Sequence, residues 1–400
     1  MIVVLGLLST FGPLSLDLYL PALPQLAQQL HASTSAAQLS ITACLLGLAT
    51  GQLVAGPLSD RLGRRRPLIV GLAAYLLVSA ACAFAPSISL LVLLRLFQGL
   101  AGSVGLVIAR AIARDLYSGR ELVIFFSRLI LISGVAPVIA PVLGGQLSKI
   151  MTWRGMFGVL AGFGAALLGA GIFGVHETLP PERRTTGGLG ATIRGFGFLL
   201  KDRLFVGSVL SSGLAGASMF AYIAGSSFVL QRIYGLSAVG FSLVFATNSL
   251  GLIALGQVGG RLARRWPPVR VLGIALAINC AGSVAVATAV LARLGFVPLV
   301  VSLFVMVSAV GMIFPTASAL AMSGHPERAG SASSLFGLAQ FIAGAAAAPL
   351  VGIAGDTSAV PLGVVSLTAT VAACAVFAGL VLPPVRPRPD TAPPADAGPL

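Results

Sequence analysis

GPLSDRLGRRRP, from Gly56 to Pro67, recurs in degraded form 200 residues later as GQVGGRLARRWP, from Gly256 to Pro267. The opening glycine, the Arg-Leu pair, two further arginines and the closing proline are identical in the two copies. Asp60 of the first copy meets Gly260, and Gly63 meets Ala263. An internal repeat at a fixed offset predicts that the chain is built from two homologous halves.

Around both copies the chain is apolar: of 400 residues, 57% are hydrophobic and 9% are charged. This balance excludes a soluble globular protein. A helix needs roughly 20 apolar residues to cross a bilayer, and twelve stretches have about that length. They lie at about 2 to 24, 37 to 56, 68 to 85, 88 to 113, 123 to 147, 153 to 175, 204 to 230, 239 to 260, 269 to 292, 297 to 322, 330 to 354 and 361 to 382. The sequence therefore predicts an all-α integral membrane protein.

The repeat and the longest polar connection predict how these spans are divided. Residues 1–175 would form an N-terminal six-helix bundle and residues 204–382 a C-terminal one, joined by a cytoplasmic central loop at 176–203. The Pro-rich residues 383–400 predict a disordered cytoplasmic tail. Two homologous halves with a substrate site between them, near the membrane midplane, are typical of secondary transporters.

The net charge of +14 is a topology signal. Lys and Arg concentrate in alternate connections, above all at 61–66, 183–203 and 261–270. The positive-inside rule then places both termini and the central loop in the cytoplasm, and no nucleic-acid partner is needed to explain the charge. Arg outnumbers Lys 23 to 2, which is typical of a GC-rich bacterial genome. We expect a monomer in the bacterial inner membrane, surrounded by lipid.

Cysteine and histidine usage excludes several kinds of chemistry. The four cysteines fall within predicted spans, so we expect no disulfides. The three histidines lie in connections, which leaves neither a metal cluster nor an intramembrane imidazole relay. The chain has no GxxxxGK[ST] phosphate loop for ATP. We therefore expect no cofactor and a proton gradient as the energy source.

Asp17 lies inside the first apolar stretch, MIVVLGLLSTFGPLSLDLYLPAL. A lone carboxylate in a membrane helix is costly and is a functional-site hypothesis by default. Because burial disfavours the charged form of a carboxyl group, Asp17 could bind and release a proton near neutral pH. The alternative is a permanently ionised residue that holds two helices together.

Arg95 is the predicted partner of Asp17, because it lies several residues deep in the fourth span. A guanidinium does not deprotonate in proteins. Its approach would favour ionised Asp17 and its withdrawal the neutral form, so that helix movement would change the proton affinity. The alternative is a structural arginine that is satisfied by backbone carbonyls or by Gln98.

Several segments resemble the major facilitator superfamily and, within it, the twelve-span drug:proton antiporters of the Bcr/CflA type. They are Asp17–Pro24, Gly56–Arg66, Arg95–Gly102 with Ala109–Asp115, Ala136–Gly145, Ser226–Gln231 and Ala329–Ser334. Ala136–Gly145 is similar to the antiporter motif of the fifth span, with Ala136 and Ala140 in place of the superfamily's glycines. The resemblance covers nearly the whole chain. It implies the major facilitator fold, two pseudo-symmetric six-helix bundles with twelve transmembrane helices.

Two sets of residues are predicted to gate the transporter. At the cytoplasmic end of the second span, opposite charges between the halves can latch the inner side, as this loop does in the resembled family. Asp115 could join Arg61, Arg64 or Arg65 there, although topogenic charge alone explains several of these arginines. In the fifth span, small residues and prolines at helical spacing would seal the halves against proton leak, with ordinary packing as the alternative. The predicted gating residues are Gly56, Asp60, Arg61, Gly63, Arg64, Asp115, Pro137, Pro141, Gly144 and Gly145.

Polar and aromatic side chains in the apolar spans are the predicted substrate contacts. A mostly apolar pocket orients a drug-like ligand with a few amphipathic groups, although such side chains also pack against lipid or neighbouring helices. The candidates are Tyr19, Phe97, Phe220, Tyr222, Asn248 and Gln340.

We predict a proton-coupled antiporter that exports small amphiphilic drugs or antibiotics. A single intramembrane carboxylate favours neutral or weakly charged compounds over dications, and the resemblance implies phenicol- or bicyclomycin-like compounds. The alternative is a proton-coupled transporter of an endogenous metabolite. Paired acids, an intramembrane His and a Ser/His/Asp arrangement are all missing from the spans, so an enzyme is not predicted.

Overall fold

A computed structural model describes residues 2–117, 119–184, 196–325 and 329–382. The described residues form helices joined by short connections, and no strand occurs among them. In chain order the α-helices are α1 (Ile2–Leu8), α2 (Phe11–Asp17), α3 (Leu23–Gln29), α4 (Thr34–Leu62), α5 (Arg65–Ala83), α6 (Ile88–Leu116), α7 (Gly119–Leu147), α8 (Trp153–Gly174), α9 (Arg203–Phe228), α10 (Ala238–Leu262), α11 (Pro268–Leu291), α12 (Phe296–Ser323), α13 (Ala329–Leu350) and α14 (Val360–Val376). α9 and α14 each continue into a π-helix, Val229–Ile233 and Phe377–Val381.

The helices match the predicted apolar stretches. By length and composition, α4, α5, α6, α8 and α9 to α14 are ten helices that could cross a membrane, and α1 to α3 together give an eleventh. The stretch predicted at 123 to 147 coincides with α7, in which 132–147 is a shorter apolar helix. The stretch predicted to reach 354 ends earlier, since α13 stops at Leu350. The chain is an all-α, multi-pass membrane protein.

The first span is broken, with a bend of 44° between α1 and the helical segment that starts at Phe11. Pro13 lies just after the break and has no N–H to donate to the carbonyl four residues earlier. The hydroxyls of Ser9 and Thr10 donate instead to carbonyls of the preceding turn, those of Leu5 and Leu7. Beyond α2 the chain passes through a 3₁₀ turn at Leu20–Ala22 before α3 begins.

The helices pack in two sets, named here the N-terminal helices (α1 to α8) and the C-terminal helices (α9 to α14). Among the N-terminal helices, α4 packs on α6 and α5 on α8. Among the C-terminal helices, α10 and α11 pack on α12, and α9 packs on α13. The two sets meet where α4 contacts α13 and where α7 contacts α10.

The predicted domain boundaries at 175 and 204 fall between α8, which ends at Gly174, and α9, which begins at Arg203. The division of the chain at these boundaries stays a prediction. The central loop is described at 176–184 and 196–202 only. The tail predicted at 383–400 lies outside the described residues.

Candidate functional site

Asp17 is the last residue of α2 and is only 4% exposed. Its Oδ1 atom has no hydrogen-bond partner among the described residues. A buried carboxylate oxygen without a donor is costly to keep charged. Binding a proton would remove the charge from this buried group, so the protonation state of Asp17 strongly affects its interactions with its surroundings.

Tyr222 of α9 and Asn248 of α10 lie on the side of their helices that faces Asp17. The carboxyl group of Asp17 lies within electrostatic range of the Tyr222 hydroxyl. Asn248 donates from Nδ2 to the Tyr222 hydroxyl at 2.9 Å, and the Tyr222 ring stacks on Phe245 with centroids 5.3 Å apart. Oδ1 of Asn248, like Oδ1 of Asp17, is buried and has no donor among the described residues. Three predicted site residues, Asp17, Tyr222 and Asn248, thus lie in one region of the structure. Two of their oxygen atoms, Oδ1 of Asp17 and Oδ1 of Asn248, can accept a hydrogen bond but have no donor among the described residues.

Phe220 lies on a different face of α9. Phe220 is two residues from Tyr222, and at about 100° per residue the two side chains leave α9 in nearly opposite directions. The Phe220 ring faces α13, where Phe341 lies 6.3 Å away between centroids and Gly344 approaches the ring closely. Gln340, also on α13, has a buried Nε2 without a partner among the described residues. Phe220 therefore forms part of the α9–α13 packing.

Arg95 is fully buried in α6, as predicted, but it is paired with other groups. Its Nη1 donates to Gln98 Oε1 at 2.5 Å and its Nε to the Ser40 carbonyl at 3.3 Å. Its guanidinium carbon lies 4.6 Å from the centroid of the Tyr19 ring. No ion pair joins Arg95 to Asp17 in the described part of the chain.

The separation of Asp17 from Arg95 has a geometric cause. Asp17 and Tyr19 are two residues apart in a helical segment, so their side chains point to opposite sides. Tyr19, whose hydroxyl is 2.9 Å from Ser40 Oγ, takes the side facing Arg95. The predicted pairing is therefore not formed in this conformation, and the alternative with Gln98 and a backbone carbonyl describes the contacts of Arg95.

Phe97 is a correction to the predicted substrate contacts. Its side chain is 49% exposed and lines a lateral apolar groove of about 290 Å³ between α4, α5 and α6. Phe97 is two residues beyond Arg95, and when Arg95 faces the interior, Phe97 faces outward. Phe97 therefore lies on the outer surface of the N-terminal helices, on the side of α6 opposite to Arg95.

Arg64 is the centre of a charged network at the Arg-rich end. Its Nε donates to Asp115 Oδ2 at 2.8 Å, and its Nη1 donates to Asp60 Oδ1 at 2.5 Å and to Ser59 Oγ at 2.8 Å. Arg64 is 6% exposed, whereas Arg61 is exposed. Of the three arginines considered as partners for Asp115, Arg64 is the one that pairs with it.

Sequence reasoning missed Glu177 and Thr178, which complete this network. The Glu177 carboxylate accepts from the backbone N–H of Arg64 at 2.7 Å and of Arg65 at 3.2 Å, and Thr178 donates to Asp115 at 3.0 Å. Partial burial opposes the charged form of Glu177, but the backbone donors outweigh it and hold the pKa of this carboxyl below its ordinary value. The only signal in the sequence was an acidic residue directly after α8.

The charged network lies within the N-terminal part of the chain. Its described members all precede residue 185, and none of the described C-terminal helices contributes a charge to it. The predicted latch between opposite charges of the two halves is not formed among the described residues and stays a prediction.

Gly63 makes the tight turn that was predicted between α4 and α5. Its φ of +87° lies in the left-handed region, which disfavours residues with a side chain. A Cβ here would also collide with the Glu177 carboxylate. Gly56, by contrast, has only an ordinary contact, with Val107 3.9 Å from the position of a Cβ.

The predicted gating residues of α7 contact both neighbours of this helix. A Cβ at Gly144 would clash with the Leu18 carbonyl, and one at Gly145 would clash with Ser242. Pro141 cannot donate to the Pro137 carbonyl, and this carbonyl accepts from Ser249 Oγ of α10 at 3.1 Å. Small residues and prolines therefore bring α7 close to the first span and to α10.

Proteins that are similar in sequence include a transporter and two proteins named for antibiotic resistance. The chain is 40% identical over 378 residues, 94% of each chain, to an uncharacterized MFS-type transporter, YdgK, of Bacillus subtilis. It is 29% identical to a bicyclomycin resistance protein homolog of Haemophilus influenzae, covering 95% of this chain and 94% of the relative. It is 31% identical to a chloramphenicol resistance protein of Pseudomonas aeruginosa, covering 70% of this chain and 67% of the relative.

The fold has solved counterparts. A crystal structure of a mutant of the nucleoside transporter NupG matches with a TM-score of 0.76 over 95% of this chain and 99% of that one, at 15% sequence identity. At this identity the match shows the fold alone. A family model described as Major Facilitator Superfamily matches residues 5–349. The chain is a member of the major facilitator superfamily, with the helical fold of its transporters.

Proposed function

We propose that this protein is a proton-coupled antiporter that exports small amphiphilic drugs. The observation that carries the proposal is the buried Asp17, whose Oδ1 lacks a donor beside the Tyr222–Asn248 pair. The names of two relatives, a bicyclomycin resistance protein homolog and a chloramphenicol resistance protein, support the substrate class. The proton gradient would supply the energy, without a cofactor.

Asp17 would couple the two fluxes through its protonation state. When Asp17 is ionised, its carboxylate is a hydrogen-bond acceptor in the same region as Asn248 Oδ1, which has no donor among the described residues. Protonated Asp17 adds a donor. A substrate with a hydroxyl or amide donor is therefore held best when Asp17 is ionised, and a proton from the other side of the membrane favours its release.

The surroundings of Asp17 favour a neutral or weakly charged substrate. The rings of Phe241 and Phe245 pack in a row with the Tyr222 ring, next to the hydrogen bond between Tyr222 and Asn248. Asp17 is the one buried carboxylate among the described residues, so a dication would leave a positive charge without a partner. Hydroxyl- and amide-bearing antibiotics of the phenicol or bicyclomycin kind match these groups.

Arg95 would act on Asp17 through Tyr19. The guanidinium lies against the Tyr19 ring, and Tyr19 and Asp17 share one short helical segment. A rotation of this segment would bring the carboxyl group towards Arg95 and favour its ionised form. Arg95 is then a positioning residue for the proton step.

The test compares the native chain with Asp17→Asn in an efflux-deficient host. We expect Asp17→Asn to lose resistance to phenicols and bicyclomycin, and to lose drug-evoked proton movement in vesicles, because an amide does not titrate in this range. Asp356→Asn is the matched control, since Asp356 is an exposed carboxylate in a connection. Full resistance together with undiminished proton movement in Asp17→Asn would refute the proposal.

The setting of the protein is part of the proposal. The positive charge of alternate connections supports a bacterial inner membrane location with both termini in the cytoplasm. We propose that it works as a monomer in the lipid bilayer.

A further inference from the structure

Among the described residues, four hydroxyl groups donate hydrogen bonds between the N-terminal and the C-terminal helices. The bond from Ser35 Oγ to the Pro349 carbonyl is the longest, at 3.4 Å, and the other three share one kind of acceptor. Ser227 Oγ donates to the Leu20 carbonyl at 2.6 Å, Ser249 Oγ to the Pro137 carbonyl at 3.1 Å, and Thr42 Oγ1 to the Ala345 carbonyl at 3.1 Å. The Ser227 and Thr42 pairs lie towards the end of the molecule whose connections hold few basic residues, opposite to the Arg64 network, and the Ser249–Pro137 pair lies near the middle of α10. We name these three donor–acceptor pairs the clasp.

The three acceptors share one property: a proline follows each of them after four residues. The prolines are Pro24, Pro141 and Pro349. A helical carbonyl normally accepts from the N–H of the fourth following residue, and proline has none. The Leu20 carbonyl accepts a shorter-range bond from Leu23 N instead. Each proline thus leaves a carbonyl with accepting capacity for a hydroxyl of the neighbouring helix.

The donors can lose these bonds at low cost. Ser249 Oγ lies 3.0 Å from the Phe245 carbonyl of its own helix as well as near Pro137. Serine and threonine hydroxyls in helices commonly bond to the carbonyl four residues earlier. On separation the donor returns to its own helix and the freed carbonyl accepts water. No charge is desolvated or stranded in either state.

Gln231 connects Ser227 to the π-helix that follows α9. Its Nε2 donates to the Pro21 carbonyl at 3.1 Å and to Ser227 Oγ at 3.0 Å. Gln231 lies in the π-helix Val229–Ile233 at the end of the seventh span. Such π-helical turns frequently occur at functional sites.

The contacts between α4 and α13 and between α7 and α10 are counterparts. The second and eighth spans occupy equivalent places in the repeated sequence, and so do the fifth and eleventh. Thr42 of the second span bonds to the eleventh, and Ser249 of the eighth bonds to the fifth. The same device, a hydroxyl on a proline-freed carbonyl, therefore serves both sides of the interface.

We propose that the clasp is the reversible latch that keeps the charge-poor, outer end of the transporter closed, with Thr42, Ser227 and Ser249 as its positioning residues. The inference rests on the proposed transport function and deepens it. The outer end opens when the three hydroxyls return to their own helices. The three pairs carry no charge, so breaking them strands none, and the Arg232 guanidinium donates to the Pro24 carbonyl across the same end at 3.4 Å.

The test measures how often the outer end opens. Ser226, fully buried next to Ser227, is replaced by cysteine in a chain whose four native cysteines are changed to serine or alanine. A membrane-impermeant thiol reagent is added outside right-side-out vesicles. We expect Ser227→Ala, Ser249→Ala and Thr42→Val each to raise the labelling rate about fivefold, the effect of losing one hydrogen bond. The triple variant should exceed every single one.

Matched controls separate the clasp from a general loss of packing. Thr50 on α4 and Thr247 on α10 bond to their own helices and are exposed. Thr50→Val and Thr247→Val should therefore leave the labelling rate of the Ser226→Cys chain unchanged. Thr42→Ser keeps a hydroxyl and should restore the low rate. Unchanged labelling in the triple variant, or an equal rise in the controls, would overturn the proposal.

Labelling needs neither drug nor gradient, so the two proposals can fail separately. Failure of Asp17→Asn to impair export, with clasp variants that label fast, would remove the proposed function and keep the latch. Normal export with unchanged labelling in the triple variant would remove the latch alone.

Discussion

The two ends of the molecule hold their helices together by different physical means. At the Arg-rich end, Arg64 pairs with Asp60 and Asp115, and Glu177 accepts from two backbone N–H groups. At the opposite end, neutral hydroxyls bond to carbonyls that prolines have freed. The charged network stays within the N-terminal part of the chain. The neutral bonds cross to the C-terminal helices, from which a charged donor, Arg232 Nη2, also reaches the Pro24 carbonyl at 3.4 Å.

This difference follows from the cost of moving charge. Separating a buried ion pair leaves charges without partners, which costs several kcal/mol in a low-dielectric interior. Separating a hydroxyl from a carbonyl costs about 1 kcal/mol when both find other partners. A charged network is thus suited to fix a loop, and neutral bonds are suited to an interface that opens and closes. Three substitutions test the comparison.

The largest effect is expected for Arg64→Ala. Removing the buried guanidinium leaves Asp115 and Asp60 without their partner, and such losses cost about 3–5 kcal/mol. We expect the thermal midpoint of the purified protein to fall sharply. Arg61→Ala is the control, because Arg61 is exposed in the same loop. Equal losses in both variants would mean that the network does not stabilise this end.

An intermediate effect is expected for Gly63→Ala. The φ of +87° and the collision with Glu177 make a side chain unfavourable by about 1–3 kcal/mol. The repeat provides the comparison, because Ala263 occupies the equivalent place with φ −62°. Gly260→Ala, where a Cβ meets nothing within 4 Å, should leave the thermal midpoint unchanged or raise it. A stable Gly63→Ala variant would show that the turn can relax.

The smallest effect is expected for Pro349→Ala at the neutral end. Alanine restores an N–H that can donate to the Ala345 carbonyl, so Thr42 loses part of its acceptor. We expect about a twofold rise in cysteine labelling from outside, with a thermal midpoint close to that of the native chain. A large loss of stability, comparable to that of Arg64→Ala, would contradict the view that this end is built to open.

Much of the site could be placed on helices from the sequence but could not be assembled from it. In the sequence Asp17 stands out as a costly carboxylate, Arg95 as a basic residue deep in the fourth span, and Tyr222 as an amphipathic side chain in an apolar span. Their neighbours depend on which way each side chain leaves its helix. Tyr222 faces Asp17, whereas Phe220, two residues earlier on α9, faces α13. The same geometry turns Phe97 outward from Arg95.

Other features had almost no signal in the sequence. Glu177 follows α8 in an ordinary connection, and its contact with the Arg64 loop bridges 113 residues along the chain. Thr42, Ser227 and Ser249 are common residues in membrane helices. Their significance arises only when a proline-freed carbonyl from a distant span lies within hydrogen-bond distance.

The sequence by itself determined the membrane location, the helical fold class, the repeat and the presence of a costly carboxylate, because hydrophobic length and the spacing of charges act locally along the chain. The tertiary structure alone decided that Arg95 stacks on Tyr19 away from Asp17, that Glu177 completes the charged network, and that hydroxyls close the opposite end. These contacts depend on helix rotation and on the packing of spans that are far apart in the chain, and no local pattern specifies them.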